Sequence, residues 1–263
     1  MTTIKNSKII KTITWNIGGG KILADGADPK LLASYSENGI RDIAKYLKSV
    51  NPDIITLQEV HKNKDFDQAE FIANELGFKY FIHDSVSSSH VDSGFKLGNA
   101  IISRYPISDH TSGLFFNPDV NMNWEDGTIV ISHDKGFTKC NIDIDGELIE
   151  VTSLHLLPFR KFGIDLDSTL ANKILVDVQE KIRPSIEKWI IQGDFNIDSP
   201  TISEFLTDIS KSSNVTEAEI ISPTTPKGRK YDHILYEGLK ITTFAIEPKV
   251  NTDHYPIASV FSV

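Results

Sequence analysis

The sequence predicts an α+β fold: two mainly antiparallel β-sheets packed face to face, with helices on the outside. Three observations carry this. Apolar runs of strand length recur along the whole chain, whereas apolar residues at helical spacing recur in only a few stretches. Phe137 to His155 is the clearest hairpin, turning at Asp145-Gly146. No repeat, low-complexity tract or linker divides the chain, so residues 1–263 are expected to form one domain, long enough for a sizeable core.

Ile9 to Trp15 reads as the first strand and leads into the Gly18-Gly19-Gly20 turn. Ile40, Ile43, Ala44 and Leu47 recur at helical spacing, and Asn51-Pro52 stops that helix because a residue before proline disfavours the αR region. Asp53 to Leu57 is a second strand, ending at Gln58-Glu59. A helix from about Phe66 to Leu76 closes at Gly77, a natural C-cap, and a strand follows from Phe78 to His83. Residues 85–95, rich in Ser, Gly and Asp, read as a surface loop. Asn99 to Arg104 and the stretch after Pro106 read as adjacent strands, and Asn117 to Gly127, with Pro118 and Trp124, as a second loop. In the hairpin, Ile142 and Ile144 alternate with polar residues and Leu148 to Leu156 returns the chain. A long helix spans roughly Asp167 to Lys181, and Lys188 to Gln192 is a strand running into Gly193-Asp194. Short strands at Ile234 to Tyr236, Ile241 to Ile246 and Ile257 to Phe261 finish the chain.

Composition narrows the class more than the activity. With 40% hydrophobic and 24% charged residues the chain has a soluble globular make-up. Its net charge of −9 weighs against strong sequence-blind binding to duplex DNA, which counterion release drives. A local basic rim would still guide a phosphate into an acidic cleft. The one cysteine, Cys140, excludes an intramolecular disulfide and any CxxC motif, and its alternating surroundings mark a packed thiol rather than a nucleophile. The stretch Met1 to Lys8 carries no apolar signal core, and no segment approaches the ~18 apolar residues of a membrane span. A cytoplasmic protein without membrane association is expected.

Six apolar runs each end in a short polar word: Trp15-Asn16, Gln58-Glu59, Ser153-Leu154-His155, Gly193-Asp194-Phe195-Asn196, Tyr231-Asp232-His233 and Thr252-Asp253-His254-Tyr255-Pro256. Strand ends lie at a sheet rim, where a ligand reaches them. The Asn, Asp, Glu and His gathered there have the donor chemistry to hold a hard divalent cation and activate water beside it, which points to metal-assisted phosphodiester hydrolysis. Singly the words are weaker. Glu59 alone reads equally well as a solvated strand end and Asn16 more readily as a turn former, whereas Gly193-Asp194-Phe195-Asn196 is the most specific word, with a plain Asx-turn as its lesser alternative. Sheet neighbours would bring Asn16 and Glu59 together as metal ligands. Gly193 permits a sharp turn, after which Asp194 and Asn196 point the same way, one to orient or deprotonate water and the other to donate to a phosphorane oxygen. His254 sits in a constrained segment, and Asp232 could orient its ring and stabilise its charged form. Other Asp–His neighbours, at His83-Asp84, Asp109-His110, His133-Asp134 and Asp232-His233, make adjacency cheap, and most of them read as surface features.

These words, with Leu57 before Gln58, Gly98-Asn99-Ala100-Ile101-Ile102-Ser103-Arg104 and Ile234-Leu235 after His233, resemble in kind and order those of the endonuclease/exonuclease/phosphatase superfamily, which has the deoxyribonuclease-I-like fold. The resemblance covers residues 15–256. It implies a four-layer α/β/β/α sandwich with the site at one edge of the paired sheets, and dependence on Mg²⁺ or Mn²⁺. It implies Asn16 and Glu59 at the metal with Asp253 near it, Asp194 and Asn196 at the attacked phosphate, His254 oriented by Asp232 as one acid/base group, and His155 as the other partner at the phosphate. Asn99 is expected at the substrate. His155 followed by Pro158 is more similar to the deoxyribonuclease branch than to abasic-site endonucleases, and Ile17-Gly18-Gly19 supplies no acidic second ligand after Asn16. The words do not place the acidic partner of His155; the loop around residues 84–96, which carries Asp84 and Asp92, is one candidate for it.

Arg160-Lys161 and Lys227-Gly228-Arg229-Lys230 flank the words. Arg160, Lys227 and Arg229 are expected to form a positive rim for substrate phosphates, the alternative being ordinary solvated loop charges. Phe159, Phe162, Trp124 and Tyr255 read as packing residues before they read as stacking partners. The implied reaction is in-line attack of water on a phosphodiester, with nucleic acid as the leading substrate. A small-molecule or lipid-headgroup phosphoester is the alternative, and an inert binding module is disfavoured by the intact words. No protein partner is implied, and a monomer is expected.

Overall fold

The computed structural model describes residues 8–123, 129–212 and 214–263; Trp124 and Gly127 lie outside that set. The first half of the chain forms β1 (Ile9–Asn16), β2 (Lys21–Leu23), β3 (Tyr35–Asn38), β4 (Ile54–Lys62), β5 (Tyr80–Ser88), β6 (Lys96–Ser103), β7 (Ile107–Leu114), β8 (Asn121–Asn123) and β9 (Ile129–Ile131). The second half adds β10 (Gly136–Ile144), β11 (Glu147–His155), β12 (Trp189–Asp194), β13 (Thr216–Glu217), β14 (Asp232–Glu237), β15 (Lys240–Ile246) and β16 (Ile257–Ser262). Three α-helices, α1 (Ile40–Val50), α2 (Gln68–Leu76) and α3 (Thr169–Ile182), lie between them.

The strands assemble into two six-stranded sheets, ordered β15-β16-β1-β4-β6-β5 and β13-β14-β12-β11-β10-β7. Pairing is antiparallel except at β1/β4 and β11/β12. Those two exceptions have one cause. Each parallel pair is joined by a helical crossover, α1 or α3, so each sheet is built around a βαβ unit. The crossovers bring the ends of four strands to one rim, with Asn16 opposite Gln58 in one sheet and His155 opposite Asp194 in the other.

Alternation along the strands sorts side chains into layers. Ile13, Trp15, Ile55 and Leu57 pack outward against α1 and α2; Leu154, Trp189 and Ile191 pack outward against α3. Ile10, Ile54, Cys140, Ile142, Ile190 and Phe261 meet between the sheets. The expected four-layer sandwich of α+β class is the observed architecture. Cys140 is fully buried there, and burial pushes its thiol up to about 12, which fits packing rather than nucleophilic chemistry.

The layer between the sheets changes character along its length. On β1 the inward residues run Ile10, Thr12, Thr14, Asn16, and on β4 Ile54, Thr56, Gln58. Gln192 Nε2 donates to Thr56 Oγ1 at 3.0 Å, and Gln58 Nε2 donates to Ser153 Oγ at 3.0 Å. An apolar core thus gives way to a buried, hydrogen-bonded polar layer that supports the rim. These amides and hydroxyls hold the two sheets at fixed register directly beneath the charged groups.

Three local differences from the sequence reading have physical reasons. Asp67 caps α2, its side chain accepting from Ala69 N at 2.8 Å, so the helix starts at Gln68 rather than near Phe66. Residues 85–88, read as loop, continue β5 and pair with β6; an edge strand facing solvent carries the polar residues that mimic a loop. Between Gly20 and Ile40 the chain forms the small β2–β3 hairpin, which no apolar run announces. Among the described residues no helix is long and apolar enough to cross a membrane.

Candidate active site

In β12, Gly193 has φ +152°, and a Cβ there would lie 2.2 Å from the Leu154 carbonyl oxygen. Only glycine lets β12 run this close to β11. Phe195, fully buried and edge-on to the His233 ring, anchors the turn, while Asp194 and Asn196 on either side face the rim. Asp194 Oδ1 accepts the Asn196 backbone N–H at 2.9 Å, and its Oδ2 accepts from Asn16 Nδ2 at 2.9 Å across the sheets. The Asx-turn and the site residue are therefore the same group.

Glu59 reaches the rim by a β-bulge. Between the pairs Leu57↔Ala100 and Val60↔Gly98, two residues of β4 (Gln58 and Glu59) oppose Asn99 alone. Glu59 takes φ +53°, so Gln58 stays between the sheets while Glu59 turns out of the alternation. Asn196 also has φ +53°. Such left-handed backbone at a non-glycine residue costs about 1 kcal/mol or more and persists where surrounding structure enforces it.

His254 is held from below. The Trp15 indole donates to the His254 carbonyl at 3.0 Å and to Thr252 Oγ1 at 3.2 Å. The His254 ring places Nδ1 2.9 Å from Asp232 Oδ2 and Nε2 3.7 Å from Asp194 Oδ2. His155, ending β11, lies on the other side of the same oxygen, its Nε2 3.3 Å from Asp194 Oδ2 and 3.0 Å from Asn196 Nδ2. Its acidic neighbours are thus Asp194 and, at 3.8 Å from Nδ1, Glu59, rather than a residue of the 84–96 loop. Asp84 instead accepts from Thr138 and pairs with His110.

The charges push the two histidines apart. Burial alone would lower the His254 pKa, but the carboxylates of Asp232 and Asp194 outweigh it and hold the ring protonated, well above its ordinary value. Burial and then the nearby Lys135 ammonium drive His155 well below its ordinary value, so this ring is neutral. Asp194 is raised to about 7, chiefly by burial, with Asp232 adding to it and His254 opposing. Glu59 is half-buried, and desolvation acts to raise its pKa, yet Lys135 and His155 keep it well below the usual carboxylate range.

Two sets of residues offer cation ligands. Asp194, Asp232 and His254 present ligand atoms within 4.8 Å of one another. There, however, the protonated His254 already supplies the positive charge between the carboxylates. Glu59, Asp253 and Asn16 are hard oxygen donors of the kind Mg²⁺ and Mn²⁺ take. Asp253 Oδ1 is buried with no hydrogen-bond partner, and burial followed by the Glu59 charge raises its pKa. Gly18, at φ +51°, leaves the space beside it; a Cβ would stand 2.9 Å from that oxygen. Asp232 Oδ1 is likewise buried without a partner, so what separates the two sets is the cation that His254 already supplies to the first. The second set holds an orphaned carboxylate oxygen near a second carboxylate with no such internal cation between them, and fits an added cation better.

Several predicted residues stand elsewhere than expected. Asn99 is 1% exposed, and its amide donates to the Gly136 carbonyl at 2.7 Å, bracing the start of β10, while its Oδ1 is buried without a hydrogen-bond partner. Arg229 is paired with Asp198 at 2.6 Å, and Lys230 is buried with its ammonium on the Pro200 carbonyl, so neither adds free charge to a rim. Arg160 is exposed beside the cavity that Asn196 borders, and Lys227 is exposed with its field on Asp253. His83 and His233 are buried, bonded to Asp67 and Glu217, not surface features. Phe159 is core. Lys135 was not singled out by sequence, although its ammonium stands 3.0 Å from His155 Nε2 and 3.5 Å from Glu59 Oε1. The signal was the hairpin register: Gly136 pairs with His155, so the preceding residue must flank it.

A two-sheet sandwich with buried carboxylates, histidines and amides gathered at one rim has the architecture of the deoxyribonuclease-I-like phosphoester hydrolases. The sequence profile of the Endonuclease/Exonuclease/phosphatase family matches residues 13–254, and the chain belongs to that family. Solved structures share the fold at low identity. An endonuclease/exonuclease/phosphatase from Beutenbergia cavernae is 16% identical with a TM-score of 0.73, the match covering 97% of this chain and 72% of that one. D. rerio TDP2 complexed with a single-strand DNA product is 15% identical, with a TM-score of 0.60 and coverage of 97% and 100%. The Bacteroides thetaiotaomicron mannosyl-6-phosphatase Bt3783 is 15% identical, with a TM-score of 0.61 and the same coverage. No curated protein matches the chain significantly.

Proposed function

We propose that the protein is a divalent-metal-dependent phosphodiesterase, acting by in-line attack of water, with nucleic acid as its substrate class. The observation that carries this is the seat of Asp194 Oδ2, 3.3 Å from a neutral His155 and 3.7 Å from a protonated His254. A carboxylate raised to about 7 is a competent base at neutral pH. In this reading the water oxygen forms the new bond to phosphorus while the P–O bond to the leaving group breaks. Asp194 takes the proton from water, and His254, kept cationic by Asp232, gives one to the leaving oxygen. Asn196 and Lys135 donate to the phosphate oxygens, where negative charge develops. Glu59 and Asp253, with Asn16, would hold Mg²⁺ or Mn²⁺, which when bound supplies charge stabilisation at the phosphate.

Nucleic acid is favoured by Lys135, Lys227 and Arg160 around the acidic floor and by the likeness to a fold that, in TDP2, holds single-strand DNA product. A small-molecule phosphoester is the second reading, supported by the likeness to a mannosyl-6-phosphatase. The test is hydrolysis of bis-p-nitrophenyl phosphate with Mg²⁺ or Mn²⁺, with and without chelator, followed by a panel of oligonucleotides, plasmid DNA, RNA, phospholipid and mannose 6-phosphate. Metal-dependent turnover that His254→Ala abolishes supports the proposal. Absence of turnover, or full activity in that variant, rejects it.

A further inference from the structure

Beside the metal-ligand side of the rim lies a cavity of ≈ 470 Å³ whose floor is Gly18, Glu59 and Asp253. One wall comes from the 21–36 segment, with Leu32, Ala33 and Tyr35; the facing wall comes from His90 and Val91 of the β5–β6 loop. Tyr35 is a rigid platform: its ring is buried and its hydroxyl donates to the Pro29 carbonyl at 2.8 Å. Leu32, by contrast, leaves 46% of its surface exposed, apolar area that none of the described residues covers. Lys21 and Ser36 add polar groups to the edge of the same slot, and among the described residues no carboxylate is paired with Lys21. On the opposite side of the catalytic group, Asn196 borders a second cavity of ≈ 400 Å³ that also contains Arg160 and Tyr231.

We infer that the first cavity is a nucleoside slot. One nucleoside flanking the scissile phosphate inserts its base between Leu32–Tyr35 and His90–Val91, while the rest of the diester leaves through the second cavity. Apolar walls with hydrogen-bonding groups at the edge suit a planar heterocycle better than an acyl chain or a hexose. The volume admits one base with its sugar. A base in the interior of a duplex enters only after leaving its stack, at a cost of a few kcal/mol. The protein therefore acts on single-stranded ends and short nucleotidyl diesters in preference to intact duplex. The inference rests on the phosphodiesterase reading for its location and on the slot walls for its specificity.

Ala33 is exposed on the slot wall and is none of the reacting groups, so Ala33→Trp narrows the slot from its side; Leu32→Ser strips apolar surface from the same wall as a second, milder variant. Rates are compared on thymidine 5′-(p-nitrophenyl phosphate), which carries a nucleoside, and methyl p-nitrophenyl phosphate, which carries none. The expected result is a KM raised at least tenfold on the nucleoside ester in Ala33→Trp, a smaller rise in Leu32→Ser, and methyl ester rates within twofold of the parent in both. A separate arm titrates thymidine 5′-monophosphate and inorganic phosphate by calorimetry, with tighter binding of the nucleotide expected and lost in Ala33→Trp. Equal effects on both esters, or no effect on either, overturn the slot. So does equal affinity for nucleotide and phosphate. Nucleotide binding that depends on the slot, but without turnover of either ester, retains the slot and rejects the phosphodiesterase reading.

Discussion

The rim has two halves built alike and charged differently. Each stands at the end of a parallel strand pair made by a helical crossover, β1-α1-β4 in one sheet and β11-α3-β12 in the other. On the second half, Asp194 and Asp232 enclose the cationic His254, and both oxygens of Asp194 accept hydrogen bonds. On the first half, Glu59 and Asp253 face one another's charge with Lys135 near only one of them. Each half leaves one buried carboxylate oxygen unpaired, Asp232 Oδ1 and Asp253 Oδ1, but only in the second does a protonated ring sit between the carboxylates. One half carries its own cation; the other has the composition of a site that receives one. A fold can thus place the same residue types at equivalent strand ends and assign them opposite electrostatic tasks.

The comparison breaks most visibly in turnover. His254→Ala removes the internal cation, and kcat for bis-p-nitrophenyl phosphate is expected to fall about 10²–10⁴-fold at every metal concentration, the range of a lost acid–base group. Glu59→Gln is expected to behave differently, raising the metal concentration for half-maximal rate by about tenfold or more, with part of the rate recovered at high metal. If both variants show the same metal dependence, the two halves do not have separate tasks.

Stability, measured by urea denaturation with chelator present, should separate the halves by sign. Asp232→Asn leaves His254 and Asp194 without a balanced partner in a buried site and is expected to cost about 3–5 kcal/mol. Asp253 has a folded-state pKa raised above its ordinary value, so its charge opposes folding at neutral pH. Asp253→Asn keeps the shape, removes that charge and is expected to stabilise the metal-free protein by about 1 kcal/mol. A loss of stability in Asp253→Asn would show that the carboxylate is already satisfied.

Glu217, outside the reacting groups and bonded to His233 behind them, gives the comparison a reference: a carboxylate with a full set of donors. Burial pushes its pKa up, but His233 at 2.9 Å, Thr201, the Ile202 N–H and Ser203 overcome this and hold it at about 2. Its pKa is depressed on folding, so its stabilisation is present above the unfolded value near 4.5 and is lost as pH falls from there through about 2. That loss is about 3 kcal/mol, and Glu217→Gln should flatten this part of the acid limb in a pH series of urea midpoints.

Strand ends were legible because buried strands write themselves as apolar runs, so Asn16, Asp194, His254 and their neighbours could be read in place. What escaped depends on contacts between distant segments. The bulge at Glu59 exists only relative to Asn99 on β6, and nothing within Leu57-Gln58-Glu59-Val60 marks it. Lys135 required the hairpin register, and the burial of His83 and His233 required Asp67 and Glu217, each 16 residues away. Arg229 looked like free charge until Asp198, 31 residues earlier, came alongside it. The polar layer was half visible, since Ile10-Thr12-Thr14-Asn16 alternates with Ile13 and Trp15, yet a strand with two buried faces gives no sign of which polar residues face inward.

That layer supplies the smallest effect on turnover and tests whether the rim's geometry comes from beneath it. Ser153 Oγ donates to the Leu57 carbonyl at 3.1 Å and accepts from Gln58 Nε2 at 3.0 Å, linking β11 to β4 just below His155 and Glu59. Ser153→Ala breaks both contacts and leaves Gln58 Nε2 with only Thr14 Oγ1 at 3.4 Å, so a loss of about 1–2 kcal/mol is expected. Both sheets lean on this residue, so kcat should drop severalfold through misplacement of His155 relative to Glu59, while the metal concentration for half-maximal rate stays within twofold. Full activity with the stability loss would mean that the bulge and the crossovers hold the two halves in register without the layer. An unchanged stability would mean that Gln58 and Leu57 find other partners.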